Sequence, residues 1–147
     1  MTGPARIFTI GYEGATQAEL ISALQNAGVE RVIDVRAVPL SRKPGFSKNV
    51  LAAGLKEAGI DYVHLKALGT PPAGREAARK GRIEEMHRIF AAQLETPEAG
   101  VDAARMVALA EEKPSALLCF ERDPAGCHRT PLHEALLPGI EVVDLYA

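Results

Sequence analysis

Ser115-Ala116-Leu117-Leu118-Cys119-Phe120, a continuous apolar run cut off by Glu121-Arg122-Asp123-Pro124, is the stretch on which the fold turns. An apolar run of this length, with charge only at its end, suits a strand covered on both faces inside a parallel sheet. Four other segments share its character: Ile7-Phe8-Thr9-Ile10 before Gly11-Tyr12-Glu13-Gly14, Arg31 to Arg36, Asp61 to Leu65, and Ile140 to Leu145. Amphipathic stretches separate them, and that alternation predicts β-α-β units. The expected architecture is one three-layer α/β/α domain spanning residues 1–147, Rossmann-like, with a mostly parallel sheet of about five strands.

The helices carry their own punctuation. Thr16 and Glu19 form a capping box, followed by Leu20, Ile21, Leu24 and Ala27 on one face, and Gly28 ends the helix. Ser47 is placed to cap a second helix that turns Val50, Leu51, Leu55 and Ala58 inward and stops at Gly59. Residues 66–82 read as loop and then helix, with Arg75 to Lys80 as its start, because Gly69, Pro71, Pro72 and Gly74 interrupt the pattern. Ile83, Met86, Phe90 and Leu94 share a helical face, Thr96-Pro97 opens a helix reaching about Glu112, and a short helix follows Gly126 to Leu137.

With 147 residues, 47% hydrophobic and 24% charged, the chain is long enough to build a core from Leu, Val, Ile and Ala. A net charge of −2 argues against coating nucleic acid or a membrane by bulk attraction. There is no run of about 18 apolar residues, and Met1 to Arg6 has no apolar leader, so a cytoplasmic location with no membrane partner is expected. In that compartment the two cysteines, Cys119 and Cys127, are expected as free thiols.

Parallel strands deliver their carboxyl ends to one edge, where ligands bind. That edge gathers Gly11 and Tyr12, Asp34 and Arg36, His64, and Glu121 from successive strands. A carboxylate inside the Val/Ile run at Asp34 needs a partner to offset desolvation, and Arg36 is the nearest. Arg36, Arg42, Lys43 and Lys48 fall in a Pro/Gly-shaped loop without an acidic residue, and the arginines suit bidentate contact with phosphate. Backbone N–H groups at the helix start after Ser47 would add anion donors.

The run Cys127-His128-Arg129 sets a thiol at a helix start, where the dipole and a neighbouring Arg favour thiolate. Neighbouring side chains point about 100° apart on a helix, so His128 can equally face Glu121 or Asp34. Cys119, Cys127, His128 and His133 are nominal zinc ligands, but their spacing fits no familiar zinc pattern and no metal site is expected.

Five ordered motifs together make the sequence similar to the domain-of-unknown-function family 488 of small bacterial and archaeal proteins. They are Thr9 to Gly14; Asp34-Val35-Arg36 with Pro39 and Ser41-Arg42; Pro44 to Lys48; Tyr62 to Leu65 with Leu68-Gly69; and Leu118 to Glu121 with Cys127-His128-Arg129. After Leu68-Gly69 the family commonly carries a second Gly and Pro-Arg, whereas this chain has Thr70-Pro71-Pro72-Ala73-Gly74-Arg75. The resemblance implies a fold and a shared polar edge, and it brings no activity.

The residues themselves support an enzyme, expected as a hydrolase, acting on a phosphate-containing small molecule or nucleic acid. Arg36, Arg42 and Arg129, with Lys48, would hold phosphate, and Gly11, Tyr12 and His64 would complete the binding edge. Asp34 and Glu121 would share acid/base work, with Cys127 or His128 as nucleophile or proton donor. Phosphocysteine chemistry is disfavoured because Cys127 lacks a C-x5-R loop. Two other readings remain open: a noncatalytic anion or nucleotide sensor, and a thiol-dependent redox or transfer protein using Cys127. Cofactor identity and oligomeric state are not legible.

Overall fold

The apolar run beginning at Ser115 is the central strand of the sheet. The computed structural model describes residues 5–147, so part of the N-terminal stretch read as lacking a leader lies outside the described residues. Five strands, β1 (Arg6–Gly11), β2 (Arg31–Asp34), β3 (Asp61–His64), β4 (Ser115–Cys119) and β5 (Glu141–Tyr146), align in the order β3-β2-β4-β1-β5. Every pairing is parallel, with Phe8 opposite Ala116 and Asp34 opposite Leu118. The connecting helices are α1 (Gln17–Asn26), α2 (Lys48–Glu57), α3 (Pro72–Arg79), α4 (Ile83–Leu94), α5 (Pro97–Glu112) and α6 (Arg129–Leu136). Short 3-10 turns occupy Lys66–Leu68 and Pro124–Gly126.

Alternate residues of β4 feed two cores. Ala116 and Leu118 join Leu20 and Leu24 of α1 and Leu51 and Leu55 of α2 on one face. Leu117 joins Phe90 of α4, Met106 of α5 and Leu132 of α6 on the other. This division is the expected three-layer α/β/α arrangement, with helices covering a sheet whose central strands are apolar on both sides.

Local signals act as the sequence suggests in most elements. Thr16 and Glu19 close the capping box reciprocally, and Gly28 and Gly59 take positive φ where α1 and α2 end. Thr96 caps α5 by accepting from Ala99 N–H. Three expectations need correction. Val50 is exposed, because the inward face of α2 is set by Leu51 and Leu55. The Ser47 hydroxyl does not cap α2; it bridges the N–H and carbonyl of Ser41 and holds the loop closed. α3 begins at Pro72 rather than Arg75, since a proline at the first helical position lacks only an N–H that would be unpaired there. Among the described residues, no helix is long and apolar enough to cross a membrane.

Candidate functional site

After β2 the chain turns outward to β3 by way of α2, while after β4 it turns the other way to β5 by way of α6 on the opposite face. Loops that diverge from adjacent strands leave a crevice between them, the usual ligand position in open parallel sheets. A cleft of about 270 Å3 occupies it, with Arg36, Cys119, Glu121, Cys127 and His128 among its lining residues.

The β2 side of the crevice is a closed network. Asp34 is fully buried and accepts from Arg36 N–H (3.1 Å), Nε (2.9 Å) and Nη2 (2.7 Å) and from the Tyr62 hydroxyl. Four donors fill the carboxylate's acceptor capacity. Asp34, expected as an acid/base group, therefore positions Arg36. Arg36 in turn donates from Nη1 to Phe46 O (2.7 Å) and Tyr12 Oη (3.3 Å). Burial opposes its charge, but the Asp34 bonds outweigh that and raise the Arg36 pKa above its ordinary value. Tyr62 is likewise raised, by burial and then by the Asp34 charge, so its hydroxyl stays a donor.

The β4 side differs in chemistry. Cys119 ends β4, and the turn at Pro124–Gly126 returns the chain so that Cys127 meets it. Their sulfurs are joined as a disulfide, which corrects the expectation of separate free thiols; their Cα atoms stand 7.5 Å apart. Cys127 Sγ also accepts from Arg129 N–H (3.2 Å) and Nε (3.0 Å). His128 is buried with Nε2 2.7 Å from Val35 O. A carbonyl can only accept, so Nε2 carries the proton and Nδ1 the free lone pair. Burial lowers the His128 pKa to about 4, and the ring is neutral near pH 7. Glu121, only partly buried, has its pKa raised by desolvation despite the nearby Arg129 charge. Among the described residues, one ligand atom each from Cys119, Cys127 and His128 lies within 4.8 Å of the others.

The remaining expected residues divide between bracing and exposure. Gly11 serves packing: a Cβ there would lie 1.7 Å from Glu121 O. Tyr12 lines the cleft, stacked on Phe46 at a centroid distance of 4.5 Å. His64 Nε2 sits 2.7 Å from Arg36 O and braces the loop. Arg129 is fully buried, turned inward to Cys127 and to Glu121 O, with Nη1 unpartnered among the described residues. Arg42 and Lys48 are exposed and do not line the cleft. His133 is buried on α6, outside the Cys–His cluster. Two arginines that do line the cleft, Arg75 and Arg79, come from α3. Their four-residue spacing puts them on one helical face, a signal the sequence carried. Phe120 and Val38, both about half exposed, add an apolar wall.

These features define a parallel α/β domain with an arginine-bearing, partly apolar cleft at the ends of β2 and β4. The chain belongs to the family DUF488, described as a domain of unknown function, whose model matches residues 16–136. The Thr9–Gly14 motif precedes the matched range. No match emerged among curated proteins or among solved structures.

Proposed function

We propose that the chain is an enzyme that binds a phosphate-bearing small molecule, a nucleotide by size and chemistry, in the cleft between β2 and β4. The observation that carries this reading is the convergence of Arg36, Arg75 and Arg79 on a single cleft that also exposes Phe120. Guanidinium groups supply bidentate donors for phosphate, and an exposed aromatic face supports a base. The cleft volume of about 270 Å3 and the net charge of −2 favour a mononucleotide over a nucleic-acid polymer.

Glu121 is the acid/base group in this reading, because its carboxyl lines the cleft while Asp34 is consumed by Arg36 and Tyr62. Cys127 has no independent nucleophilic role, since its sulfur is buried against Cys119 and Arg129. The test is a product screen of nucleoside mono- and diphosphates with wild type and Glu121→Gln. Turnover lost in the variant with binding retained supports the assignment. A nucleotide that binds tightly and is recovered unaltered by wild type supports a sensor and overturns catalysis.

A further inference from the structure

We propose that, in the reduced chain, Cys119, Cys127 and His128 form a binding site for a single zinc-class divalent metal ion, with its open coordination position facing the cleft. This goes beyond the nucleotide reading and does not depend on it.

Three features of the structure point to this site. First, the donor set converges: two sulfurs and a ring nitrogen, all on buried residues, lie within 4.8 Å of one another. Two thiolates and an imidazole are a preferred zinc donor set, and three protein ligands with a free fourth position characterise catalytic zinc. Second, the supporting contacts are those of a ligating cluster. His128 gives its Nε2 proton to Val35 O at 2.7 Å, as metal-bound histidines give their other N–H to a carbonyl, and this keeps the Nδ1 lone pair available. Arg129 directs its backbone N–H and Nε–H at Cys127 Sγ, a pattern suited to a thiolate. Third, the Cys119–Cys127 Cα separation of 7.5 Å exceeds the roughly 4.4–6.8 Å usual for a disulfide, leaving room for two sulfurs to share an ion.

The chemistry balances simply. The disulfide takes two electrons and two protons from a dithiol reductant, which is itself oxidised to a disulfide. Metal entry then breaks two S–H bonds, forms two metal–sulfur bonds and releases two protons to solvent, while His128 donates a lone pair without losing a proton. With metal–sulfur bonds of about 2.3 Å in a tetrahedral site, the sulfurs stand roughly 3.8 Å apart. All three ligands line the cleft, as does Glu121, whose Oε1 lies 3.7 Å from Cys119 Sγ, beside the open position.

The test is anaerobic titration of the folded, reduced full chain with Co2+, followed by displacement with Zn2+. The expected result is one equivalent bound, with a sulfur-to-cobalt charge-transfer band in the near ultraviolet and intense tetrahedral d–d bands, both abolished by one equivalent of Zn2+. Cys119→Ser should reduce the charge-transfer band, and His128→Gln should weaken binding by at least the about ten- to hundredfold that loss of an outer-shell partner costs. Absence of the charge-transfer band in wild type overturns the proposal, whatever the variants do. So does an unchanged spectrum in Cys119→Ser, or failure of the native chain to yield two titratable thiols under the reductant. No substrate enters the readout, so failure of the nucleotide reading leaves this result interpretable.

Discussion

The ends of β2 and β4 lie side by side in the sheet, each carrying a charged cluster, yet they solve the burial of polar groups in opposite ways. At β2, Asp34, Arg36, Tyr62, Tyr12 and Phe46 O satisfy one another almost completely. Among the described residues, at β4 Arg129 keeps an unpartnered Nη1 and His128 a free ring nitrogen, and Glu121 lines the cleft. Burying a charge is tolerated only when its partners are supplied, so a closed network holds structure and an incompletely satisfied one marks where a ligand brings the missing partner. In the proposed function, the chemistry would fall to the β4 side, with the β2 side as the wall against which it works.

Substitutions probe the two strand ends separately. Asp34→Ala should have the largest effect, because it strands the buried Arg36 charge; urea denaturation should show a loss of about 3–5 kcal/mol. Tyr62→Phe removes one donor from the same carboxylate and should cost about 1.5–3 kcal/mol by the same measurement. Glu121→Gln should change stability by no more than about 0.5 kcal/mol, although it lies at the same sheet edge. Loss of more than this, or stability unchanged by Asp34→Ala, would reverse the assignment of the two sides. Arg42→Ala, on the exposed loop, should leave the denaturation midpoint within error.

How far the sequence reveals this division depends on how local each cause is. The unbroken run Ser115 to Cys119 announced a central strand because burial on both faces leaves no room for polar residues, and the Thr16/Glu19 box announced α1 because both partners lie within one turn. The Asp34–Arg36 pair was legible for the same reason. Tyr62, which completes that pair, sits 28 residues away, and only the β2–β3 register brings it near. The Cys119–Cys127 junction was hidden because Cys119 reads as strand interior, whereas its place as the last residue of β4 brings its sulfur to the cleft. Arg42 and Lys48 illustrate the converse: composition showed a basic loop, but a loop's course over the surface is set by tertiary packing, and it carries them away from the cleft. Arg129 was expected to hold phosphate; at the start of α6 its side chain instead folds back on Cys127 and Glu121 O.

The proposed function assigns anion recognition to the cleft lined by the α3 arginines rather than to the basic loop. Calorimetric titration of a nucleoside diphosphate into wild type, Arg75→Met and Arg42→Met tests it directly. The expected outcome is one site per chain, weakened about ten- to hundredfold by Arg75→Met, as befits loss of a charge-assisted bond, and less than about twofold by Arg42→Met. No binding to wild type, or a larger loss in Arg42→Met than in Arg75→Met, would contradict it.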